Sequence, residues 1–201
     1  MANFETTTLA KRQCGPCTVC CVELKIDTSE LRKKARLPCP HLGSAGCGIY
    51  AARPPVCQQF LCGWRLFAEM GDDWRPDLSG ILALRKAPDE LPKAWRSAAY
   101  GVHLVVIGGE AAVKRPAFAD YVAALLGRGI PVFLSAASPY ILLNEHLEAG
   151  ANPAFFRARL GELYALLHAA RFGRGLLTRI QFLYRLQIDR QRQKYLRKSM
   201  V

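Results

Sequence analysis

The pattern of apolar and polar positions divides the chain near Gly80. Beyond that point, "GILALRK", "GVHLVVIGG" and "IPVFLSA" are apolar runs of strand length. Gly108-Gly109 reads as a two-residue hairpin turn joining Leu104–Ile107 to a further strand over Glu110–Lys114. "RPAFADYVAALLGRG" has helical spacing, with Pro116 near its start and Gly127 or Gly129 at its end. "NPAFFRARLGELYALLHAARFG" and "RGLLTRIQFLYRLQIDRQRQKYLRKS" also repeat at helical spacing. In the second, Leu176, Ile180, Leu183 or Tyr184, and Ile188 form one apolar stripe, which lapses across "DRQRQK".

Before Gly80 the periodicity is weak. In "LKIDTSELRKKARLP", Asp27 or Thr28 caps a predicted helix with Glu30 in its first turn. Pro38 ends it by Leu37, because the residue before a proline is pushed out of helical geometry. "CPHLGSAGCGIYAARPPVC" predicts loops with a short helical turn. A segment that buries so little apolar surface needs covalent or metal cross-links to hold it. The predicted class is α+β. A loop-rich cysteine-cluster metal domain spans 1–79, a small strand-and-helix region 80–152, and a basic helical extension 153–201.

Composition sharpens this picture at three points. With 51% apolar residues in 201, the chain is predicted to bury a core. "MANFETTTLAKRQ" lacks the apolar segment of a secretory signal, and no apolar run approaches the ~18 residues of a spanning helix. A cytoplasmic location without a membrane span is therefore expected, where thiols stay reduced. The net charge of +12 is uneven: +5 over residues 1–65, −2 over 66–152 and +9 over 153–201. The basic C-terminal helix is the expected surface for a protein or peptide partner. Nucleic acid is the secondary candidate, since Phe172, Phe182, Tyr184 and Tyr195 stand at a spacing more typical of core than of base stacking.

All eight cysteines fall between positions 14 and 62: Cys14, Cys17, Cys20, Cys21, Cys39, Cys47, Cys57 and Cys62. In a reducing compartment such a set points to metal before disulfides. Two-residue gaps let successive thiolates turn inward from one tight loop. Three in the register C-x2-C-x2-C can supply three corners of a [4Fe–4S] cluster, with a remote fourth cysteine. Zinc sites more often use two separated C-x2-C knuckles, and no second one exists here. Eight thiols suffice for two four-thiolate sites, or for one site and a redox pair. Cys21, directly after Cys20, is hard to place on the same metal, because adjacent side chains diverge. The spacing alone does not say which cysteines share a centre, nor whether Cys21 or His41 is a ligand. Lys11, Arg12, Arg53 and Arg65 lie close in sequence and could offset the negative charge of a tetrathiolate. No His and Asn/Asp partners suited to a nucleophilic cysteine stand out.

"CGPCTVCC", followed by "CPHL", "CGIYAARPPVCQQFLC" and "WRPDLSG", resembles the CxxCxxCC family of zinc- or iron-chelating (YkgJ-type) cysteine-cluster domains. The resemblance covers about residues 14–80. It implies metal chelation by all eight cysteines, through an iron–sulfur cluster or Zn2+. A similar cluster in flagellin lysine N-methylases implies iron–sulfur chemistry and inclines the expectation towards iron. An iron–sulfur-dependent protein- or peptide-modifying enzyme is the alternative reading, although the chain has no G-x-G-x-x-G segment. Within the motif, Arg53-Pro54 is expected to fix the turn into Cys57. Ile49 and Tyr50 are expected to pack beneath the site, and Asp77 to serve a turn.

Overall fold

The computed structural model describes residues 12–136, 139–172 and 176–199. The chain separates into two compact units, Met1–Ala83 and Leu84–Val201. The fold is α+β, as the sequence pattern predicts.

The first unit contains short elements only. Helix α1 (Val19–Glu23) is followed by strands β1 (Ile26–Asp27) and β2 (Arg32–Lys33), then β3 (Leu42–Gly43) and β4 (Gly46–Cys47). Helices α2 (Pro55–Gln59), α3 (Gly63–Leu66) and α4 (Pro76–Ser79) complete it. Each strand pair is an antiparallel ribbon two residues long. The apolar core of this unit is a cluster of large side chains after the cysteines, where Trp64, Phe67, Met70 and Trp74 are buried.

The helix predicted after Asp27 does not form; β1 and β2 make a hairpin there. The Thr28 N–H donates to the Leu31 carbonyl at 3.0 Å, and the Thr28 Oγ1 accepts from the Leu31 N–H at 3.1 Å. A threonine read as a helix cap therefore closes a turn instead, an alternative that Ser and Thr side chains offer the backbone generally. Leu31 and Lys33 are buried while Arg32 between them is exposed, so the two-residue period of a strand prevails.

Strand β5 (Ile81–Lys86) leads from the first unit into the second. Gly80, at φ +70°, supplies the left-handed residue that ends α4 before it. The strand joins β6 (Gly101–Val106), β7 (Val132–Ser135) and β8 (Tyr140–Leu142) in a sheet of order β5-β6-β7-β8. β6 and β7 are parallel, and β7 and β8 antiparallel. The parallel pair requires a crossover, provided by α5 (Gly109–Lys114) and α6 (Pro116–Gly127). Helices α7 (Pro153–Phe172) and α8 (Leu176–Ser199) follow. Leu104, Val122, Leu125, Val132, Leu134, Leu160 and Leu163 form the core, each fully buried. Leu91 and Leu142 pack around Phe133, with Trp95 and Ala98 against them.

Two expectations for this unit need correction. The Gly108-Gly109 hairpin is absent: Gly108 precedes α5, so Glu110–Lys114 is helical. "EAAVK" combines good helix formers with a Glu110–Lys114 pair at 2.9 Å spaced i,i+4, and Ala112 and Val113 are buried. The stripe on α8 also behaves differently from a core face. Phe182 is buried, whereas Ile180, Leu183, Tyr184 and Ile188 are all exposed. Leu176 lies outside the residues whose side chains are described.

Asn144 ties the start of β7 to the turn after β8. Its Oδ1 accepts from the Val132 N–H at 2.8 Å and its Nδ2 donates to the Ile130 carbonyl at 2.9 Å. Asn144→Ala removes both bonds and is expected to cost about 2 kcal/mol of stability, the scale for stranding partly buried backbone groups. Equilibrium denaturation of the second unit, followed by Trp95 fluorescence in a variant lacking Trp64 and Trp74, measures it. No change would show that water replaces the side chain without loss.

Candidate metal centre

Because the first unit has so little regular structure, its cysteines are positioned by tight local turns. The Cys17 N–H donates to the Cys14 carbonyl at 3.0 Å around Gly15, whose φ is +53°. Cys20 and Cys21 follow within α1. The Cys39 N–H donates to the Cys21 carbonyl at 2.9 Å, which brings the segment after β2 back to α1. β3 and β4 place Cys47 opposite Leu42, whose own N–H donates to the Cys39 carbonyl at 3.0 Å. Cys57 sits on α2, begun by Pro55 at its first position, and Cys62 immediately precedes α3.

All eight cysteines are free thiols; Cys39 and Cys62 are buried and the other six half-buried. Seven of them, all but Cys62, line one largely apolar cavity of about 140 Å³ that His41 and Arg53 also border. Several of the thiols act on one another electrostatically. Cys20 feels Cys14 and Cys17, and Cys62 feels Cys14. Cys57 feels Cys21, Cys39 and Cys47. The adjacent Cys20 and Cys21 side chains do not diverge as expected: a hydrogen bond joins their sulfurs, and Cys20 feels Cys21 as well as Cys14 and Cys17. That bond pushes the Cys20 thiol up, with burial adding to it. It pulls Cys21 down to about 6, assisted by the charges of Lys33 and Arg53 against the opposing effect of burial.

Backbone donors point at two of the sulfurs. The N–H groups of Val19 and Asp77 hydrogen-bond Cys17, and those of Arg65 and Trp64 hydrogen-bond Cys62. Burial nevertheless dominates and holds both thiols above the usual range. Such donors favour the thiolate, and hydrogen bonds to cysteine sulfur tune iron–sulfur centres. Among the described residues, no three His, Cys, Asp or Glu side chains stand close enough together to hold a metal ion as placed.

The Lys33 ammonium, on a side chain almost wholly buried, donates to the carbonyls of Val22, Leu24 and Lys34 near Cys21. The periodicity of the sequence did not single out this lysine; its only signal is the alternation with Leu31. Arg53 stacks on Tyr50 with its guanidinium 3.7 Å from the ring centroid, and its Nε donates to the Tyr50 carbonyl at 2.8 Å. The arginine thus fixes the turn before Cys57, as expected. Ile49 and Tyr50, expected beneath the site, both line the cysteine cavity, with Tyr50 40% exposed as the platform for Arg53. Arg65 donates from Nε to the Arg12 carbonyl at 2.7 Å, while Arg12 reaches the Trp64 carbonyl at 2.6 Å. This reciprocal pair ties the segment before Cys14 to the segment after Cys62. Lys11 lies outside the described residues. His41 contributes its carbonyl to the Gly48 N–H at 2.8 Å, and the residue borders the cavity.

Asp77 lies in the first turn of α4, held by Arg75 through bonds of 2.7 and 3.0 Å. It also hydrogen-bonds the Cys17 thiol. The motif residue expected only to make a turn therefore touches the cysteine site as well.

No protein-family model, no curated protein and no solved structure matches the chain. Among the described residues, no helix is long and apolar enough to cross a membrane.

Proposed function

We propose that this chain is a cysteine-rich metal-binding protein of the CxxCxxCC type, whose first unit holds two four-thiolate centres. Cys14, Cys17, Cys20 and Cys62 form one, and Cys21, Cys39, Cys47 and Cys57 the other. The observation that carries the proposal is the gathering of eight free thiols in one unit, seven of them lining a single cavity of about 140 Å³. The donor set fits soft metals: sulfur ligands, backbone N–H groups on Cys17 and Cys62, and Lys33 and Arg53 beside the second quartet.

Iron is favoured for the first quartet. Three of its members keep the C-x2-C-x2-C register, and Cys62 is the remote fourth ligand that this arrangement requires. Zn2+ or a second cluster suits the other quartet, whose ligands come from four separate segments. The bound metal would supply the cross-link that a unit with two-residue strands lacks. The basic C-terminal helix would bring the loaded protein to a protein partner.

Anaerobic purification with metal and sulfide analysis and a visible spectrum tests the reading. A brown protein containing iron and sulfide is expected. A colourless protein with zinc would overturn the assignment of iron. Failure of either metal to bind, with all eight thiols freely titratable, would overturn the metal reading altogether.

A further inference from the structure

Among its described residues, helix α8 carries two apolar faces, one buried within the chain and one exposed. Phe182 points inward at 5% exposure. On the other side, Ile180, Leu183, Tyr184 and Ile188 are 52, 63, 65 and 47% exposed. At about 100° per residue these four share one side of the helix, and the stripe runs about 12 Å, a little over two turns. That is room for the two or three anchor side chains by which one helix grips another.

Charge identifies what fits there. α8 bears seven Arg or Lys residues and one acid, Asp189. That acid is turned inward, bonded to the buried His146 through its Nδ1 and to Arg159. Arg190 is paired with Glu145, while Arg185 is exposed. By sequence the helix is consequently strongly basic, and its one acid is already engaged within the chain.

We propose that this face docks an acidic amphipathic helix of a partner protein, with apolar anchors on the stripe and carboxylates facing the arginines and lysines. The proposal rests on the partner role above and names the chemistry of that partner. A second copy of the chain would set +9 against +9 over residues 153–201. Nucleic acid offers phosphates for the cations but nothing for aliphatic Ile180, Leu183 and Ile188. A bilayer needs a longer apolar face; here exposed Gln187 and Gln191 restore polarity within the row after Tyr184.

The test uses the full metal-loaded chain and a fluorescent acidic peptide. The peptide carries leucines at i, i+4 and i+7 among glutamates and alanines. A peptide of the same composition with its leucines scattered around the helix is the control. Binding of the ordered peptide at least tenfold tighter than the control is expected, weakening as salt rises. Ile180→Asp combined with Ile188→Asp should abolish that preference, and Ile180→Val should retain it, with circular dichroism and metal content unchanged in both. Equal binding of the two peptides would overturn the proposal. So would tighter binding to a single-stranded oligonucleotide or to phosphatidylserine vesicles, or salt-independent self-association lost in the double variant. Because metal content is read on the same samples, failure of docking is distinguishable from failure of the metal centre.

Discussion

Replacing Cys17 or Cys57 with serine is expected to remove about half of the bound metal and to unravel the segment from residue 14 to 65. Strands of two residues and helices of four or five cannot sustain this segment, and apart from Leu31 and Lys33 the unit's large buried side chains lie beyond Cys62. A structural four-thiolate site contributes on the order of 10 kcal/mol to folding, so losing one ligand costs several kcal/mol. The second unit, with its own core around Leu104, Leu134 and Leu160, should stay folded. The two variants should differ in which metal they lose if Cys17 and Cys57 belong to different quartets, as proposed. Metal analysis, limited proteolysis and amide exchange read this directly. Unchanged metal with an unchanged cleavage pattern would refute the centres. Loss of all metal from either variant would mean that the eight thiols form one indivisible site.

The second large effect lies in the other unit. Acidification from pH 7 to 4 is expected to cost the second unit about 3 kcal/mol through His103 alone. Burial, with the neighbouring Lys86 charge adding to it and Glu90 opposing, holds this imidazole down at about 4 against 6.5 in the unfolded chain. Between those values the unfolded state binds a proton that the folded state refuses. The stability is therefore fully present above pH 6.5 and lost as the pH falls towards 4; about 2.5 pH units correspond to the stated free energy. The neutral ring shares a 2.8 Å hydrogen bond with buried Ser135 and stands edge-on to Phe133 and Tyr140. Glutamine can keep a bond to Ser135 without titrating here. His103→Gln should thus flatten the pH dependence of amide exchange across β6 and β7. Equal slopes in both proteins would show that His103 does not govern it.

Local pattern was a good guide where local forces decide. β5, β6, β7 and the helices after Pro116 and Pro153 follow from apolar period and proline position, because those signals coincide with the tertiary demand to bury one face. The misread segments are those where two local solutions compete. Thr28 can cap a helix or close a turn, and the inward positions of Leu31 and Lys33 chose the turn. Gly108-Gly109 can turn a hairpin or precede a helix, and the burial of Ala112 and Val113 chose the helix. Lys33 and Asp77 gave no sign in the sequence of lying beside cysteines, since each reaches them across many residues of chain.

By itself the sequence determined that eight thiols crowd one poorly cored segment, that Cys20 and Cys21 adjoin, and that the C-terminal helix is basic. These are properties of spacing and composition, fixed before any folding. Only the tertiary structure decided that seven of the eight, all but Cys62, line one cavity, with the Cys20 and Cys21 sulfurs hydrogen-bonded to each other. It also decided that Phe182, and not the row from Ile180 to Ile188, enters the core. Period locates an apolar face, but two faces on one helix are ranked only by what packs against them, and thiols far apart in sequence meet only where turns return the chain.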